Sequence, residues 1–321
     1  MDSSGNREAR ELVPGIYCPT QCFFDPETED VDHGAIAKHV AHLAESGVAG
    51  ITTNGSNGES VYLSRQERKA ITSTTRKTLD KAGFHRMPII VGASDQSVRG
   101  TLALCQDAMD AGGDAVLILV PSFFKWAMNH ATIEQYFLTV ADGSPLPVII
   151  YNYPGAVAGI DLDSDMLIRL SKHSNIIGTK FTCGNVGKLA RVAAATRASH
   201  PTERPYLCLS GVADQILPSL AVGAAGAIVG AANVFPKTCT QLYRSYQTGS
   251  SQEEVCDLQE LVAYGDWAMT KRAIPGFKAV LQEYHGYGGV PRQPMQALDK
   301  SASQCLLQEI QKVMAFESNL S

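Results

Sequence analysis

Three short stretches of this sequence carry side chains able to act on a small molecule. Ile176-Ile177-Gly178-Thr179-Lys180-Phe181-Thr182 is a β-favouring run ending on lysine, followed by a loop, Cys183-Gly184-Asn185, suited to opening a helix. Lysine is seldom buried. At the carboxyl end of a parallel strand its amine is expected to face the region where such sheets bind substrates, and desolvation in general favours the neutral form of an amine. A neutral amine attacks a carbonyl carbon; a lysine that only snorkels from the strand end to water does not. Tyr151-Asn152-Tyr153-Pro154-Gly155 closes the preceding strand and sets a phenol beside Lys180. A phenol with a pKa of about 10 is a poor base, but it relays a proton between groups that hold it in line. Gly55-Ser56-Asn57-Gly58 follows an earlier strand. Its glycines permit a tight turn, and its N–H groups and side chains can hold a carboxylate.

These stretches need a scaffold that brings strand ends together. From Val13 onward strand-like and helix-like segments alternate. Strands are expected at Gly15–Gln21, Val48–Thr53, Pro88–Gly92, Ala115–Val120, Pro147–Tyr151, Ile176–Lys180, Tyr206–Ser210 and Ala227–Val229. Helices are expected between them, at Asp32–Glu45, after the capping box Ser64-Arg65-Gln66-Glu67, at Ser97–Ala111, Thr132–Ala141, Ser164–Lys172, Asn185–Ala195 and Asp214–Val222, and after Pro236. Eight β-then-α units with apolar strands predict a closed (β/α)8 TIM barrel over residues 13–249, the rival being an open doubly wound sheet. No GxGxxG follows a strand, so the dinucleotide support for that rival is missing. Beyond Ser250 the strand signal ends, and Glu253–Thr270, Pro275–Tyr284 and Gln296–Phe316 predict a C-terminal helical extension over 250–321, placed at a subunit interface. Residues 1–12 are polar and charged, with no apolar core of a secretory signal, and are expected to form a frayed leader.

Composition narrows the function. The chain has 321 residues, 45% of them hydrophobic, and a formal net charge of −5, so it shows no basic footprint for nucleic acid or an anionic membrane. No apolar run is long enough to span a bilayer. Eight cysteines without a CxxC pair are read as reduced thiols of a cytoplasmic protein. No metal is expected: His39 and His42 fall on an outer helix, read as a solvated face, and His33 lies just before them. The run Gly223–Gly230 has no nearby Lys or Arg and is read as tight helix–strand packing without a phosphate.

Gly55-Ser56-Asn57-Gly58-Glu59, Tyr151-Asn152-Tyr153-Pro154 and Gly178-Thr179-Lys180, in this order and roughly this spacing, resemble the pyruvate-dependent class I aldolases and lyases that include dihydrodipicolinate synthase and N-acetylneuraminate lyase. The resemblance runs from Pro14 to Met295. It implies that Lys180 forms a Schiff base with a 2-oxo acid, that Tyr151 shuttles the proton, and that Ser56 and Asn57, with Gly55, bind the carboxylate. It further implies contacts from Thr182, Ser210 and Gly211 to the rest of the substrate, no cofactor, and a homotetramer. Two departures bear on the substrate. Ala156 stands where the synthases carry an arginine for a second carboxylate, and Phe123 stands near the tyrosine they lend to a neighbouring subunit. Asn57 and the run Lys180–Asn185 look more like the branch that cleaves 2-keto-3-deoxy sugar acids or 4-hydroxy-2-oxoglutarate, and most like the fungal 2-keto-3-deoxy-L-galactonate aldolases, which release pyruvate and L-glyceraldehyde. A dihydrodipicolinate-synthase-like lyase and a non-catalytic 2-oxo acid sensor are the alternatives.

Overall fold

The computed structural model describes residues 10–199 and 205–320. Eight strands alternate with eight helices: β1 Gly15–Pro19, α1 His33–Glu45, β2 Gly50–Thr53, α2 Arg65–Lys81, β3 Ile89–Gly92, α3 Val98–Asp110, β4 Ala115–Leu119 and α4 His130–Gly143 form the first half. The second half is β5 Val148–Asn152, α5 Ser164–Leu170, β6 Ile176–Phe181, α6 Val186–Ser199, β7 Leu207–Ser210, α7 Ile216–Ala221, β8 Gly226–Ile228 and α8 Pro236–Gln247. Every neighbouring pair is parallel, and β8 pairs back onto β1, so the sheet is a closed barrel and the open-sheet rival is excluded.

Closure depends on two glycines at the seam. Gly15 lies opposite Gly226, and a Cβ on Gly226 would fall 1.9 Å from the Gly15 carbonyl oxygen. The glycines of the 223–230 run thus serve strand-on-strand approach as well as helix packing. Inside the barrel Tyr17, Ile90, Leu117, Ile149, Leu209 and Ile228 form one apolar cluster, while a larger one fills the space between strands and helices. The strands are buried on both faces, as parallel strands under a helical shell must be.

Local chemistry explains most helix starts. Asp32, Ser64, Ser97, Asn129, Asp163 and Ser251 each accept a hydrogen bond from a backbone N–H in the first turn of the following helix, and Ser64 and Glu67 complete the expected capping box. Helix α8 has no such local cap. Its first N–H groups, at Lys237 and Thr238, donate instead to the Glu317 carboxylate at 2.9 and 2.7 Å.

Glu317 belongs to the extension, which forms α9 Gln252–Thr270, α10 Ala273–His285 and α11 Lys300–Asn319. Helix α11 starts later than the apolar pattern suggests, because Asp299 caps it through the Ala302 N–H at 2.7 Å. The first strand likewise stops at Pro19, beyond which the Gln21 N–H donates to Asn233 Oδ1, whose amide donates back to the Pro19 carbonyl. His39 does not lie on a solvated face. It is fully buried, its Nδ1 3.1 Å from the Tyr287 hydroxyl and its Nε2 3.0 Å from Asn233 Oδ1, because the chain after α10 covers α1. Of the expected leader, residues 1–9 lie outside the described residues; Arg10 forms ion pairs with Asp114 and Asp80.

Candidate active site

The carboxyl ends of the strands define the site. Lys180 and Tyr151 are direct partners across the β5–β6 ladder, and both are 4% exposed. Side chains of directly opposed residues share a face of the sheet, so both enter the barrel mouth. The lysine Nζ lies 4.3 Å from the centre of the Tyr151 ring. Among the described residues, no carboxylate stands within ion-pair distance of that nitrogen.

The turn after β2 approaches Tyr151 from the other side of the mouth, and Ser56 Oγ is 3.4 Å from the Tyr151 hydroxyl. The turn is built from its own backbone: the Gly58 and Glu59 N–H groups donate to the Gly55 and Ser56 carbonyls, each at 3.1 Å. It fits against β3 only because residue 92 is glycine, since a Cβ there would fall 2.0 Å from the Asn54 carbonyl oxygen. Asn57 points elsewhere. Its amide lies against Gly230 at the end of β8, where Phe277 of α10 also arrives. Ser56 and Asn57 therefore occupy opposite sides of one turn.

Of the three residues expected at the far wall, two come together. Thr182 buries a hydroxyl with no hydrogen-bond partner among the described residues, and Gly211 packs so closely on it that a Cβ would fall 1.9 Å from Thr182 Oγ1. Ser210 instead donates its hydroxyl to the Val212 carbonyl at 3.0 Å, within its own turn. Its loop is held from outside by α9: Asp266 accepts from the Ala213 and Asp214 N–H groups, and Gln259 bonds to the Ala213 carbonyl and the Leu217 N–H. Burial pushes the Asp266 carboxyl up to about 6, against those two N–H donors.

A recess of about 320 Å³ opens between the ends of β2, β3, β4 and β5, lined by Ser56, Tyr151, Ser94, Gln96 and, where the synthases carry their arginine, Ala156. Tyr153 stacks on Tyr151 with centroids 5.6 Å apart, and burial raises its phenol. Phe123 is 78% exposed and packs edge-on against Phe124 rather than reaching Tyr151.

Several supporting residues carry no local sequence signal. Asn152, next to Tyr151, donates to Asp161 Oδ1 at 2.8 Å and accepts from the Leu162 N–H; buried Lys188 of α6 pairs with the same carboxylate. Gln21, just past β1, is 2% exposed and neither of its amide atoms has a partner among the described residues. A polar residue after the first strand is the only hint the sequence offers there. No group of three or more metal-ligating side chains occurs among the described residues, and no described helix is long and apolar enough to cross a membrane.

A closed parallel barrel with a buried lysine and tyrosine paired at its carboxyl face defines a class, and the chain belongs to the dihydrodipicolinate synthetase family, which it matches over residues 14–313. Within it, the chain is 46% identical to the L-threo-3-deoxy-hexylosonate aldolase of Aspergillus niger over 96% of its length and 97% of the relative's, and 48% identical to the enzyme of that name from Hypocrea jecorina over 96% and 98%. It is also 46% identical, over 97% and 98% of the two chains, to a protein of Emericella nidulans named as a mitochondrial 4-hydroxy-2-oxoglutarate aldolase. Among solved structures, a family member from Coccidioides immitis superposes with a TM-score of 0.84 at 34% identity, covering 97% of this chain and 99% of that one. A prophage protein of the family from E. coli, solved in complex with pyruvate, gives 0.85 at 26% identity, covering 94% and 99%.

Proposed function

We propose that the protein is a class I aldolase that cleaves 2-keto-3-deoxy-L-galactonate, also called L-threo-3-deoxy-hexulosonate, to pyruvate and L-glyceraldehyde. The observation that carries this reading is the placement of the Lys180 amine over the Tyr151 ring, with the Tyr151 hydroxyl beside Ser56. The unprotonated amine adds to the substrate C2 carbonyl and water leaves, giving a protonated imine. The C4 hydroxyl then loses its proton, the C3–C4 bond breaks, and its electron pair flows into the imine to give an enamine while the aldehyde departs. Protonation at C3 and hydrolysis of the imine return pyruvate and free Lys180. Tyr151 carries the proton between the C4 oxygen and the Ser56 side of the mouth. Ser56, with the backbone N–H groups of Ser56 and Asn57 after Gly55, takes the carboxylate, and Thr182 and Gly211 border the hydroxylated tail. The water released on imine formation is balanced by the one consumed in hydrolysis.

The relatives' names support the sugar acid, and Ala156 supports it independently, since a tail without a second carboxylate needs no guanidinium there. The Emericella relative favours 4-hydroxy-2-oxoglutarate as the second reading. Incubation with pyruvate, borohydride reduction and peptide mass analysis tests the mechanism: the added mass belongs on Lys180, and a label elsewhere refutes the assignment. Pyruvate release from 2-keto-3-deoxy-hexonates of both C4 configurations, set beside 4-hydroxy-2-oxoglutarate, separates the substrates. We also infer a homotetramer, for which the exposed aromatic residues Trp126, Tyr264 and Trp267 offer surface, and a cytoplasmic location. Light scattering and cell fractionation test these, the latter because one relative is named as mitochondrial.

A further inference from the structure

The extension reaches the active-site turn through an ion pair shut off from water. Lys278 of α10 and Glu59 of the β2 turn meet at 2.6 Å, with their side chains 1% and 0% exposed. The second carboxylate oxygen of Glu59 accepts from the Arg292 N–H at 2.9 Å, and Lys278 also donates to the Val290 carbonyl at 2.9 Å. The Arg292 guanidinium donates onward to the Tyr62 carbonyl and to Glu67, which completes the capping box of α2 with Ser64. Phe24 is held between the two cations, its ring centre 4.4 Å from Lys278 Nζ and 4.3 Å from Arg292 Cζ. Beside Lys278 in sequence, Phe277 meets the spot where the Asn57 amide packs on Gly230.

A buried ion pair is a poor way to add stability, because desolvation offsets most of the attraction and an apolar pair of similar volume often does as well. What such a pair does supply is position. Glu59 holds a left-handed backbone, with φ of 53°, a conformation that disfavours any residue with a Cβ and persists only where surrounding bonds enforce it. Its N–H closes the turn onto the Ser56 carbonyl. Fixing the Glu59 carboxylate from α10 thus fixes Ser56 and Asn57, three and two residues earlier.

We propose that Glu59, Lys278 and Arg292 are positioning residues through which the C-terminal extension sets the geometry of the carboxylate-binding turn. They control affinity for the 2-oxo acid without taking part in its chemistry. This rests on the reading that the turn receives the carboxylate.

The test uses the chain carrying Glu59→Gln and Lys278→Met together, which leaves no buried charge unpaired, and Arg292→Ala as a milder change that keeps the backbone N–H bonded to Glu59. Borohydride trapping of pyruvate is measured against pyruvate concentration, alongside hydrogen exchange of the 55–63 segment. The double variant is expected to need about tenfold more pyruvate for half-maximal trapping, with the saturating rate within about threefold of the parent. Exchange over 55–63 rises while that over 153–160 stays unchanged, and Arg292→Ala moves both readouts less, in the same direction. Unchanged exchange over 55–63, a uniform rise throughout the barrel, or a lower saturating rate at unchanged half-saturation overturns the proposal. If the parent protein does not trap pyruvate, the aldolase reading fails, and the exchange data alone judge the brace.

Discussion

Tyr151 and Lys180 face one another across adjacent strands, so the register of the β5–β6 ladder fixes the amine against the phenol ring. The register shift between Val148 and Ile149 lies at the far end of the ladder, and from Ile149 onward the pairing is regular. The geometry is thus a property of the sheet and does not depend on a mobile loop.

Replacing Lys180 with arginine keeps a cation of similar reach while removing the amine beside Tyr151, since a guanidinium stays protonated. Turnover and pyruvate trapping are both expected to vanish, while circular dichroism and thermal midpoint stay near those of the parent. Residual trapping on the variant places the imine on a different lysine.

Tyr151→Phe retains the ring under Lys180 and removes only the hydroxyl that stands 3.4 Å from Ser56. If the phenol relays protons, kcat falls by about 10²- to 10⁴-fold, the usual span for a positioned acid–base group, while pyruvate trapping falls much less. Equal losses in the two assays assign the hydroxyl to binding.

The parts of this site that were legible in the sequence are those in which chemistry and strand ends coincide locally. Lys180 ends an apolar run, Tyr151 ends another, and the glycine-flanked Ser56 follows a third; the barrel rule then brings the ends together. The strand and helix alternation was legible for the same reason, because its periods are short-range. What could not be read is pairing over long separations. Glu59 and Lys278 stand 219 positions apart, and nothing near either residue announces the other. His39 shows the cost of that blindness: its helix looks outward until the segment carrying Tyr287 lies over it.

Gly211→Ala tests the packing at the opposite wall. The added carbon would sit 1.9 Å from Thr182 Oγ1 and 2.7 Å from its Cα, so a rotamer change in Thr182 cannot relieve the clash and the backbone must move. Overpacking of this kind costs about 1–3 kcal/mol, to be read as a lowered denaturation midpoint. Because Thr182 follows Lys180 by two residues, KM for the sugar acid is expected to rise as well. A variant with parental stability and KM contradicts this account of the wall.

The buried histidine makes acid sensitivity a consequence of the extension. Burial is the main cause that lowers His39 from 6.5 to about 3, with neighbouring His42 and His285 adding to the effect and the Asn233 contact opposing it. Between those values the unfolded chain binds a proton that the native imidazole refuses, so this contribution is complete above about pH 6.5 and declines as pH falls toward 3. At pH 5 the imidazole has withdrawn about 2 kcal/mol relative to pH 7. Urea denaturation at the two pH values measures the loss. His39→Gln, which keeps an amide able to bond Asn233, is expected to be less stable at pH 7 yet to lose less on acidification. A variant that loses as much as the parent locates the acid sensitivity in other groups.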